Sequence, residues 1–341
     1  MKKRKRSLVA LVLAFLLTGC ATTPQIGTNY APEEGKKLVI YTSHKKEVWQ
    51  PIGTECEIRT GIWVDVVTGG TNEILRRIES EAASPKADVM FGGGVESLES
   101  YRSCFSPYTC QEAACIDRRY RSEDDLWTPF SSLPVVLIYN TKLVSPQELT
   151  GWKDLSRPKF KGRIAFTDPA ISGSCFTALV TYTLAMGGDR DAGIATLAGL
   201  LDGRQLGSSA DVLTSVADGT NLVGITLEET ALKRIAAGDD IALVYPVDGT
   251  SCVPDGSALI KNAPHEENAK LFLDFVSGRD VQQILSDRFC RRSVRNDVPA
   301  GASLLPLSSI SVVQYDIPGA SDSRSAILSV WAFQFGAEGR K

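Results

Sequence analysis

Histidine is scarce in this chain: of 341 residues, only His44 and His265 carry an imidazole. A metal site built from several histidines is therefore excluded. Walker and dinucleotide fingerprints are also missing, since Gly69-Gly70-Thr71 and Gly92-Gly93-Gly94 have neither the spacing nor the lysine of those motifs. No Gly-x-Ser-x-Gly nucleophile elbow is present. Because no nucleophile and base are paired by a motif, the sequence predicts a protein that is not an enzyme.

The composition is that of a soluble globular protein, with 43% hydrophobic and 23% charged residues. The chain has 40 acidic and 37 basic residues. Five of the basic residues lie at positions 2–6, so the rest of the chain has a formal charge near −8. So acidic a chain lacks the basic footprint of a nucleic-acid-binding protein, and we predict no nucleic-acid partner. The length allows two domains of ordinary size.

The N-terminus is expected to be a targeting segment. A basic run at residues 2–6 precedes ten apolar residues, 8–17, which are too few to span a bilayer and are typical of a signal-peptide core. The following Leu17-Thr18-Gly19-Cys20 is similar to a bacterial lipobox, with a plain secretory signal as the alternative. We expect a signal peptide at residues 1–19, a lipid on Cys20 and a polar tether over residues 20–36. The protein is then extracytoplasmic and anchored to the membrane, at the cell surface or in the periplasm.

Seven further cysteines follow the leader. They are Cys56, Cys104, Cys110, Cys115, Cys175, Cys252 and Cys290. In an oxidising compartment they are expected to form disulfides, at most three, with one thiol left over. A zinc site is disfavoured, because the three cysteines within residues 104–115 lack the Cys-x2-Cys spacing.

Beyond the tether, short apolar strands alternate with helical patterns, which predicts an α/β fold with mostly parallel sheets. The predicted strands are Lys37–Tyr41, Ile62–Val67, Ala87–Phe91, Val135–Tyr139, Gly162–Phe166, Asn221–Ile225, Ile241–Tyr245 and Ser257–Lys261. Helices are predicted from Asn72, from Ser174 and over His265–Ser277.

Serine, threonine and glycine recur where a predicted strand gives way to a helix. The junctions are Thr42-Ser43-His44, Thr68-Gly69-Gly70-Thr71, Gly92-Gly93-Gly94 and Ser172-Gly173-Ser174. Each one alone is also explained by helix capping and chain turning. Four together favour a binding site for an oxyanion, because helix N-termini expose unpaired N–H groups at the carboxyl ends of strands.

Charged clusters give further candidates. Glu228-Glu229-Thr230 either binds a hydroxylated, amine-bearing or cationic ligand or simply supplies acids to the first turn of a helix. Arg291, Arg292 and Arg295 form a dense basic cluster that is expected mostly on a solvated surface, with contact between one of them and an anion as the alternative. His44 is expected at the mouth of a cleft, and His265 in solvent.

Six segments, in this order behind a lipobox, resemble the substrate-binding lipoproteins of bacterial ABC importers. They are residues 38–44, 68–94, 128–144, 161–174, 216–231 and 245–276. The chain is most similar to the ferric-ion-type extracellular solute-binding family and its sugar-phosphate- and phosphonate-binding branch. The resemblance implies a two-lobed, periplasmic-binding-protein-like fold of type II, with hinge strands at Val135–Asn140 and Asp248–Ser257. Lobe 1 then takes residues 37–137 and 250–300, and lobe 2 residues 138–249 and 301–341.

The resemblance also implies a function. Iron-binding members ligate Fe(III) with two adjacent tyrosines, where this chain has Glu228-Glu229-Thr230. The expected solute is therefore a small anion, an organophosphate such as a sugar phosphate or a phosphonate, which is passed to a permease and ATPase complex. The alternative is a ferric ion or other metal held by Glu228, Glu229 and His44, and an extracellular enzyme is a third possibility. No cofactor is expected, and the protein is expected to be a monomer.

The residues predicted to bind the solute come from the polar junctions and from nearby segments. They are Ser43, His44, Gly69, Gly70, Thr71, Gly93, Ser131, Ser132, Ser172, Gly173, Ser174, Glu229 and Asp248.

Overall fold

The computed structural model describes residues 31–187 and 189–338. The predicted signal peptide, the predicted lipidation site Cys20 and most of the predicted tether lie outside those residues.

The described residues contain eleven strands and eleven α-helices. The strands are β1 (Lys37–Thr42), β2 (Trp63–Thr68), β3 (Val89–Gly94), β4 (Phe105–Ser106), β5 (Thr128–Ser132), β6 (Val135–Asn140), β7 (Ile164–Ala165), β8 (Val223–Leu227), β9 (Ile241–Val244), β10 (Pro254–Ile260) and β11 (Arg292–Ser293). The helices are α1 (Lys46–Thr60), α2 (Thr71–Ser80), α3 (Val95–Ser100), α4 (Gly173–Ala185), α5 (Arg190–Leu201), α6 (Ser209–Ala217), α7 (Glu228–Ala236), α8 (Glu266–Ser277), α9 (Arg279–Arg288), α10 (Ile317–Asp322) and α11 (Arg324–Glu338). In the part of the chain that the structure describes, none of these helices has the length and apolar character needed to cross a membrane.

The first sheet joins early and late strands in the order β11-β5-β10-β3-β1-β2, with β4 beside β10. Strand β1 runs parallel to β2 and β3, so that Ile40 pairs in register with Val66 and Val89. Strand β10 runs antiparallel to β3, β4 and β5, and β11 runs antiparallel to β5. The carboxyl ends of β1 and β3 therefore lie at the edge of the sheet where β10 begins.

The second sheet has the order β7-β8-β6-β9. Strand β6 lies antiparallel to β8 and β9, with Leu137 opposite both Ile225 and Val244. Strands β7 and β8 run parallel. The carboxyl end of β8 consequently lies beside the first residue of β6, Val135.

The expectation of mostly parallel sheets is wrong, since three of the nine strand pairs are parallel and six are antiparallel. The reason is the direction in which the chain enters each sheet. Strand β10 comes from the second sheet and enters the first at the edge where β3 ends, and β6 enters the second sheet where β8 ends. A strand that enters at the carboxyl edge must run against its neighbours.

The chain passes between the two sheets at two places. It leaves β5 at Ser132 and enters β6 at Val135, and it leaves β9 at Val244 and enters β10 at Pro254. The prediction that β6 itself crosses is wrong, because β6 pairs along its length within the second sheet. The second crossing falls within the predicted region, and the lobe boundaries stay a prediction.

Each sheet is covered on both faces by helices. On the first sheet, Phe91 contacts Phe130 and Phe272 edge to face, with ring centroids 4.8 and 5.3 Å apart, and anchors the cluster under α1 and α8. On the second sheet, Trp331 of α11 packs against Phe166 at 5.7 Å. Burial of these aromatic side chains, worth about 1.5–3 kcal/mol each, holds the helices on the sheets.

The seven described cysteines are free thiols, so the expectation of disulfides is wrong. Their placement gives the reason, because Cys56, Cys104 and Cys175 belong to three separate hydrophobic clusters. None of these three clusters contains a second cysteine. Burial instead raises the pKa of the Cys56 thiol to about 11, so that it stays protonated.

Candidate functional site

A cavity of about 330 Å³ lies where the two sheets face each other. Residues that follow β1 and the last two residues of β3 line it from the first sheet, and residues of β8 and α7 line it from the second. The crossing segments contribute Leu133 and Val253 to its wall. The cavity is therefore at the carboxyl ends of the strands, where open α/β sheets bind ligands.

Five helices of nine or more residues begin at the cavity. The lining residues from these starts are Lys45 before α1, Gly70 and Thr71 at α2, Ser172, Gly173 and Ser174 at α4, Ser208 and Ser209 at α6, and Leu227, Glu229 and Thr230 at α7. The first N–H groups of a helix have no partner within it and carry the positive end of the helix dipole. Five such ends around one cavity produce a positive field suited to an anion.

Glycine is required at the end of β3 because of close contacts. Gly92 and Gly93 have φ angles of +93° and +101°, in the left-handed region that disfavours a side chain. A Cβ on Gly92 would lie 2.7 Å from Nε2 of His44, and one on Gly93 would lie 2.8 Å from Cγ2 of Thr71. The glycines thus allow His44 and Thr71 to approach the strand.

Serine side chains organise two of the helix starts. Oγ of Ser172 accepts a hydrogen bond from the backbone N–H of Cys175 at 3.3 Å and lies 3.0 Å from Oγ of Ser174. At α6, the backbone N–H of Ser208 donates to the carboxylate of Asp211 at 3.0 Å. These contacts satisfy donors around each start and fix the direction of the helix toward the cavity.

His44 is buried between two aromatic rings. Its imidazole lies 4.5 Å from the Phe91 ring and 5.2 Å from the Phe130 ring, centroid to centroid. Burial lowers the pKa of His44 well below its usual value, and the charge of Arg291 lowers it further. The ring is therefore neutral at physiological pH, and its Nε2 has no hydrogen-bond partner among the described residues.

Two cationic side chains line the cavity, the exposed Lys45 and the buried Arg291. Nη1 of Arg291 donates to Oδ2 of Asp255 at 2.6 Å and to Oγ of Ser131 at 2.8 Å, and its Nη2 donates to Oε1 of Glu229 at 3.3 Å. Its Nε has no partner within the described part of the chain. Arg291 lines the cavity, and a guanidinium group at such a position is suited to an oxyanion.

The two carboxylates beside Arg291 have opposite pKa shifts. Burial alone would raise the pKa of Glu229, but the charges of Arg291 and Lys233 lower it to about 2. Burial raises the pKa of Asp255, against the opposing charge of Arg291. Glu229 is thus a salt-bridged carboxylate whose second oxygen lies 2.9 Å from Nζ of Lys233.

The neighbouring Glu228 does not line the cavity. Both of its oxygens accept from Arg292, at 2.8 Å from Nε and 2.7 Å from Nη2, and Oε1 also accepts from the hydroxyl of Tyr245. Arg292 is 5% exposed. The adjacent glutamates therefore bind adjacent arginines, one pair at the cavity and one behind it.

The structure does not form the alternative metal site predicted from Glu228, Glu229 and His44. Each glutamate already binds a guanidinium group. Across the described residues, no group of three or more His, Cys, Asp and Glu side chains is placed to hold a metal ion. Oxygen ligands engaged in buried ion pairs do not fit a hard cation.

Nine of the thirteen residues predicted to bind the solute line the cavity. They are Ser43, His44, Gly70, Thr71, Gly93, Ser172, Gly173, Ser174 and Glu229. The other four do not line it. Gly69 donates its N–H to the Thr42 carbonyl, and Ser131 and Ser132 lie in β5. Asp248 lies near Lys153, 3.4 Å from its backbone N.

Two expectations about charged residues are wrong. Arg291, Arg292 and Arg295 are 5%, 5% and 6% exposed instead of solvated. Arg291 and Arg292 bind buried carboxylates, and Arg295 binds the half-buried Glu112, the exposed Asp297 and the Ser277 carbonyl oxygen. His265 is half-buried, and its Nδ1 lies 2.9 Å from Oδ2 of the fully buried Asp88. Long-range partners cannot be inferred from a local charge run.

Sequence reasoning missed several lining residues, notably Ser208, Ser209, Thr226 and Arg291. The sequence did contain a signal for Ser208 and Ser209. Ser208 and Asp211 form the Ser-x-x-Asp pattern that is typical of a helix start. Arg291 gave no local signal of a cavity.

A sequence profile described as bacterial extracellular solute-binding protein matches residues 84–310. The chain belongs to that family. This member is 24% identical over 308 residues to "Iron uptake protein A1" of Synechocystis, covering 85% of this chain and 84% of the relative. It is also 24% identical over 286 residues to the "Putative 2-aminoethylphosphonate-binding periplasmic protein" of Salmonella typhimurium, covering 80% and 83%.

Two solved structures agree with the architecture. The periplasmic binding protein AfuA from Actinobacillus pleuropneumoniae, with fructose-6-phosphate bound, superposes with a TM-score of 0.81 at 23% identity over 88% of this chain and 98% of that one. A ferric binding protein from Campylobacter jejuni superposes with a TM-score of 0.77 at 19% identity, over 87% and 99%. The solute-binding protein therefore has the predicted type II periplasmic-binding-protein fold, and the predicted family resemblance is confirmed.

Proposed function

We propose that this solute-binding protein serves an ABC importer and that its solute is a small anion with a phosphoryl or phosphonyl group. The protein captures the solute between the two sheets and delivers it to a permease and ATPase complex. A lipid on Cys20 holds it outside the cytoplasmic membrane, where it acts as a monomer.

The observation that carries this proposal is the convergence of five helix N-termini and one buried arginine on a single cavity. A phosphoryl or phosphonyl group presents several oxygens around one centre, so it can accept from N–H groups that arrive from several directions. The starts of α2 and α4 lie on opposite sheets, which allows one oxyanion to be held from both sides. Thr71 and Ser172 add hydroxyl donors at those starts.

The remainder of the cavity suits a polar group. Thr167, Thr226 and Thr230 supply hydroxyls, and Glu229 supplies a carboxylate that is already balanced by Arg291 and Lys233. A cavity of about 330 Å³ is at the lower end of the usual range for small-molecule sites. These features favour a compact, hydroxylated organophosphate over a large or apolar solute.

Ferric iron is the second candidate, because relatives of similar identity bear iron-uptake names. The side chains of this chain that could coordinate iron favour it less, because they already have other partners. Glu228 and Glu229 are engaged with arginines, and the nearest tyrosine downstream, Tyr245, is hydrogen-bonded to Glu228 behind the cavity.

A thermal-shift screen of the chain without its leader tests both candidates. The compounds are sugar phosphates, phosphonates, Fe(III) with citrate, and polyamines. A ligand at a hundred times its Kd adds about 2.7 kcal/mol to the free energy of unfolding, which raises Tm by several degrees. We expect a shift with phosphorylated or phosphonylated compounds alone. A shift with Fe(III) alone would overturn the proposed solute class.

A further inference from the structure

A second cluster of buried polar side chains lies directly behind the cavity. Its members are Asn72 on α2, Glu96 on α3, Thr177 on α4, Tyr315 before α10, and Arg324 at the start of α11. The Glu96 side chain is fully buried, and Asn72 and Arg324 are 9% and 8% exposed. The cluster joins helices of the first sheet to α4 and α11, which pack on the second. The solute contacts proposed above do not use these groups, apart from Thr177 at the cavity wall.

Hydrogen bonds within this polar cluster connect helices of the first sheet to helices that pack on the second sheet. Nδ2 of Asn72 donates to the carbonyl oxygen of Ala170 at 2.8 Å, and Oδ1 of Asn72 accepts from Nη2 of Arg324 at 3.3 Å. The guanidinium of Arg324 lies over the Phe176 ring, 4.1 Å from its centroid. The Thr177 hydroxyl is hydrogen-bonded to Oε1 of Glu96. Glu96 is thereby connected to the start of α4, which lines the cavity.

The Thr177 hydroxyl has one hydrogen but contacts two oxygen atoms, and this mismatch indicates whether the Glu96 carboxyl is protonated. Oγ1 of Thr177 contacts both Oε1 of Glu96 and, at 3.2 Å, the carbonyl oxygen of Gly173. A hydroxyl carries one hydrogen. Both contacts are satisfied if Thr177 donates to Gly173 and accepts from a protonated Glu96 carboxyl. An ionised Glu96 would leave two acceptors facing each other at one of the two contacts.

No neighbouring cation is hydrogen-bonded to Glu96 within the described residues, so none stabilises an ionised carboxylate by direct contact. Arg324 faces it from α11, but Nη1 of Arg324 and Oε2 of Glu96 have no partner among the described residues. The Tyr315 hydroxyl faces both groups and likewise has no partner in the described chain. Of the acids on elements packed against α3, Asp255 of β10 is bound to Arg291, and Asp322 of α10 and Glu73 and Glu79 of α2 are exposed. Asp316, just before α10, accepts from the backbone N–H of Gly319.

The pKa direction agrees with the geometry. Burial raises the pKa of Glu96, against the opposing effects of the Thr177 hydrogen bond and the Arg324 charge. Burial likewise lowers the pKa of Arg324, although Glu96 and Tyr315 raise it. The site therefore favours the neutral form of the carboxyl.

We propose that Glu96 is a positioning residue whose carboxyl must carry its proton when the cavity holds its anionic solute, so that solute affinity falls at a pH where the free protein has lost that proton. This inference rests on the proposed function. Gly173 and Thr177 line the cavity, so the carboxyl lies directly behind the α4 start on which the anion would rest. A carboxylate there would repel the anion, and the anion in turn favours the protonated form. By linkage, the affinity is full below the pKa of Glu96 in the free protein and falls as pH rises above it.

The test compares the wild type with Glu96→Gln by isothermal titration calorimetry, using fructose 6-phosphate as the probe, from about pH 5 to about pH 8. The Gln amide can donate the same hydrogen to Thr177 but does not ionise. We expect equal affinities at the acidic end and about tenfold tighter binding by Glu96→Gln at the basic end. The second ionisation of the phosphate, near pH 6, affects both proteins alike. A ratio of affinities that stays constant with pH overturns the proposal.

Proton uptake gives an independent measurement. In two buffers of different ionisation enthalpy, the wild type should take up more protons per bound solute than Glu96→Gln at the basic end of the range. Glu79→Gln, which changes an exposed carboxyl on α2, should match the wild type. Equal proton uptake by all three proteins would contradict the role of Glu96.

Failure of the proposed function is distinguishable from failure of this inference. If neither fructose 6-phosphate nor any other phosphorylated or phosphonylated probe binds the wild type, the proposed function is wrong. The protonation of Glu96 is still tested in the unliganded protein, where the raised pKa makes the wild type lose stability relative to Glu96→Gln as pH rises. Identical pH profiles of unfolding, or a Glu96→Gln protein that does not fold, would refute a protonated Glu96.

Discussion

Arg291 and Arg292 are adjacent in sequence and equally buried, yet they have different surroundings. Arg292 makes a two-bond contact with both oxygens of Glu228, away from the cavity. Arg291 divides its donors among Asp255, Ser131 and Glu229 at the cavity wall and keeps Nε free of partners in the described chain.

The difference separates a structural ion pair from a binding group. Where a buried arginine makes a two-bond contact with one buried carboxylate, removal of either partner leaves an uncompensated buried charge. Where the guanidinium contacts are distributed over several groups in the wall of a cavity, the same side chain can also contact a ligand. The pair of Glu228 and Arg292 is accordingly expected to govern stability, and Arg291 to govern solute affinity.

The largest effect is expected from Arg292→Met, because it leaves the Glu228 carboxylate buried without its guanidinium. The free energy of unfolding should fall by about 3–5 kcal/mol, measured by urea denaturation at neutral pH. The double variant Glu228→Gln/Arg292→Met should recover much of this loss, since no charge is then left unpaired. A single variant that loses less than about 1 kcal/mol would show that this pair is not structural.

The second prediction concerns acid. The pKa of Glu229 is lowered from an ordinary 4.5 to about 2, so its contribution to stability is present above about pH 4.5 and is lost as pH falls toward 2. This shift corresponds to a contribution of about 3 kcal/mol. Glu229→Gln should therefore flatten the acid side of the stability profile measured by denaturation. Glu123→Gln, at an exposed position, should keep the wild-type profile, and an unchanged profile in Glu229→Gln would contradict the prediction.

The third prediction contrasts the two arginines directly. Arg291→Lys should weaken solute binding by about tenfold or more in calorimetry, because an ammonium group cannot reproduce the guanidinium donors. Arg292→Lys should lower stability and leave affinity within about twofold. The measurement uses the compound with the largest shift in the thermal screen. Equal losses of affinity in both variants would remove the distinction between them.

The smallest effects are expected at the helix start of α4. Ser172→Ala removes the cap that accepts from Cys175, and it should lower stability by about 1 kcal/mol and solute affinity severalfold. Asp248→Asn is the matched control, since Asp248 does not line the cavity and its substitution should leave affinity unchanged. Denaturation and calorimetry check the two quantities, and a loss of affinity in Asp248→Asn alone would place the site elsewhere.

Much of the cavity could be predicted because its residues carry local signals. Gly70 and Thr71 follow a strand and begin a helix, and Ser172 and Ser174 do the same. Capping and strand length are properties of a few consecutive residues, and the carboxyl ends of parallel strands share an edge. Ser131, Ser132 and Asp248 do not line the cavity, and their segments lack that strand-to-helix pattern.

The burial and the partners of the charged residues could not be predicted from the neighbouring sequence. A run such as Arg291 to Arg295 has the composition of a solvated surface, but its partners Glu228, Glu229 and Asp255 lie 36 to 64 residues away. Whether an arginine is buried depends on the position of its carboxylates, which only the packing of α7 and β10 decides. Glu96 is a similar case, because its neighbour Thr177 lies 81 residues away.

By itself, the sequence determined the α/β class, the family resemblance and the polar helix starts, because periodicity, capping and strand composition act over short distances. Only the tertiary structure decided the antiparallel strands, the free thiols and the two adjacent ion pairs. Each of these depends on the edge at which the chain enters a sheet or on contacts between residues far apart in sequence, and no short segment contains that information.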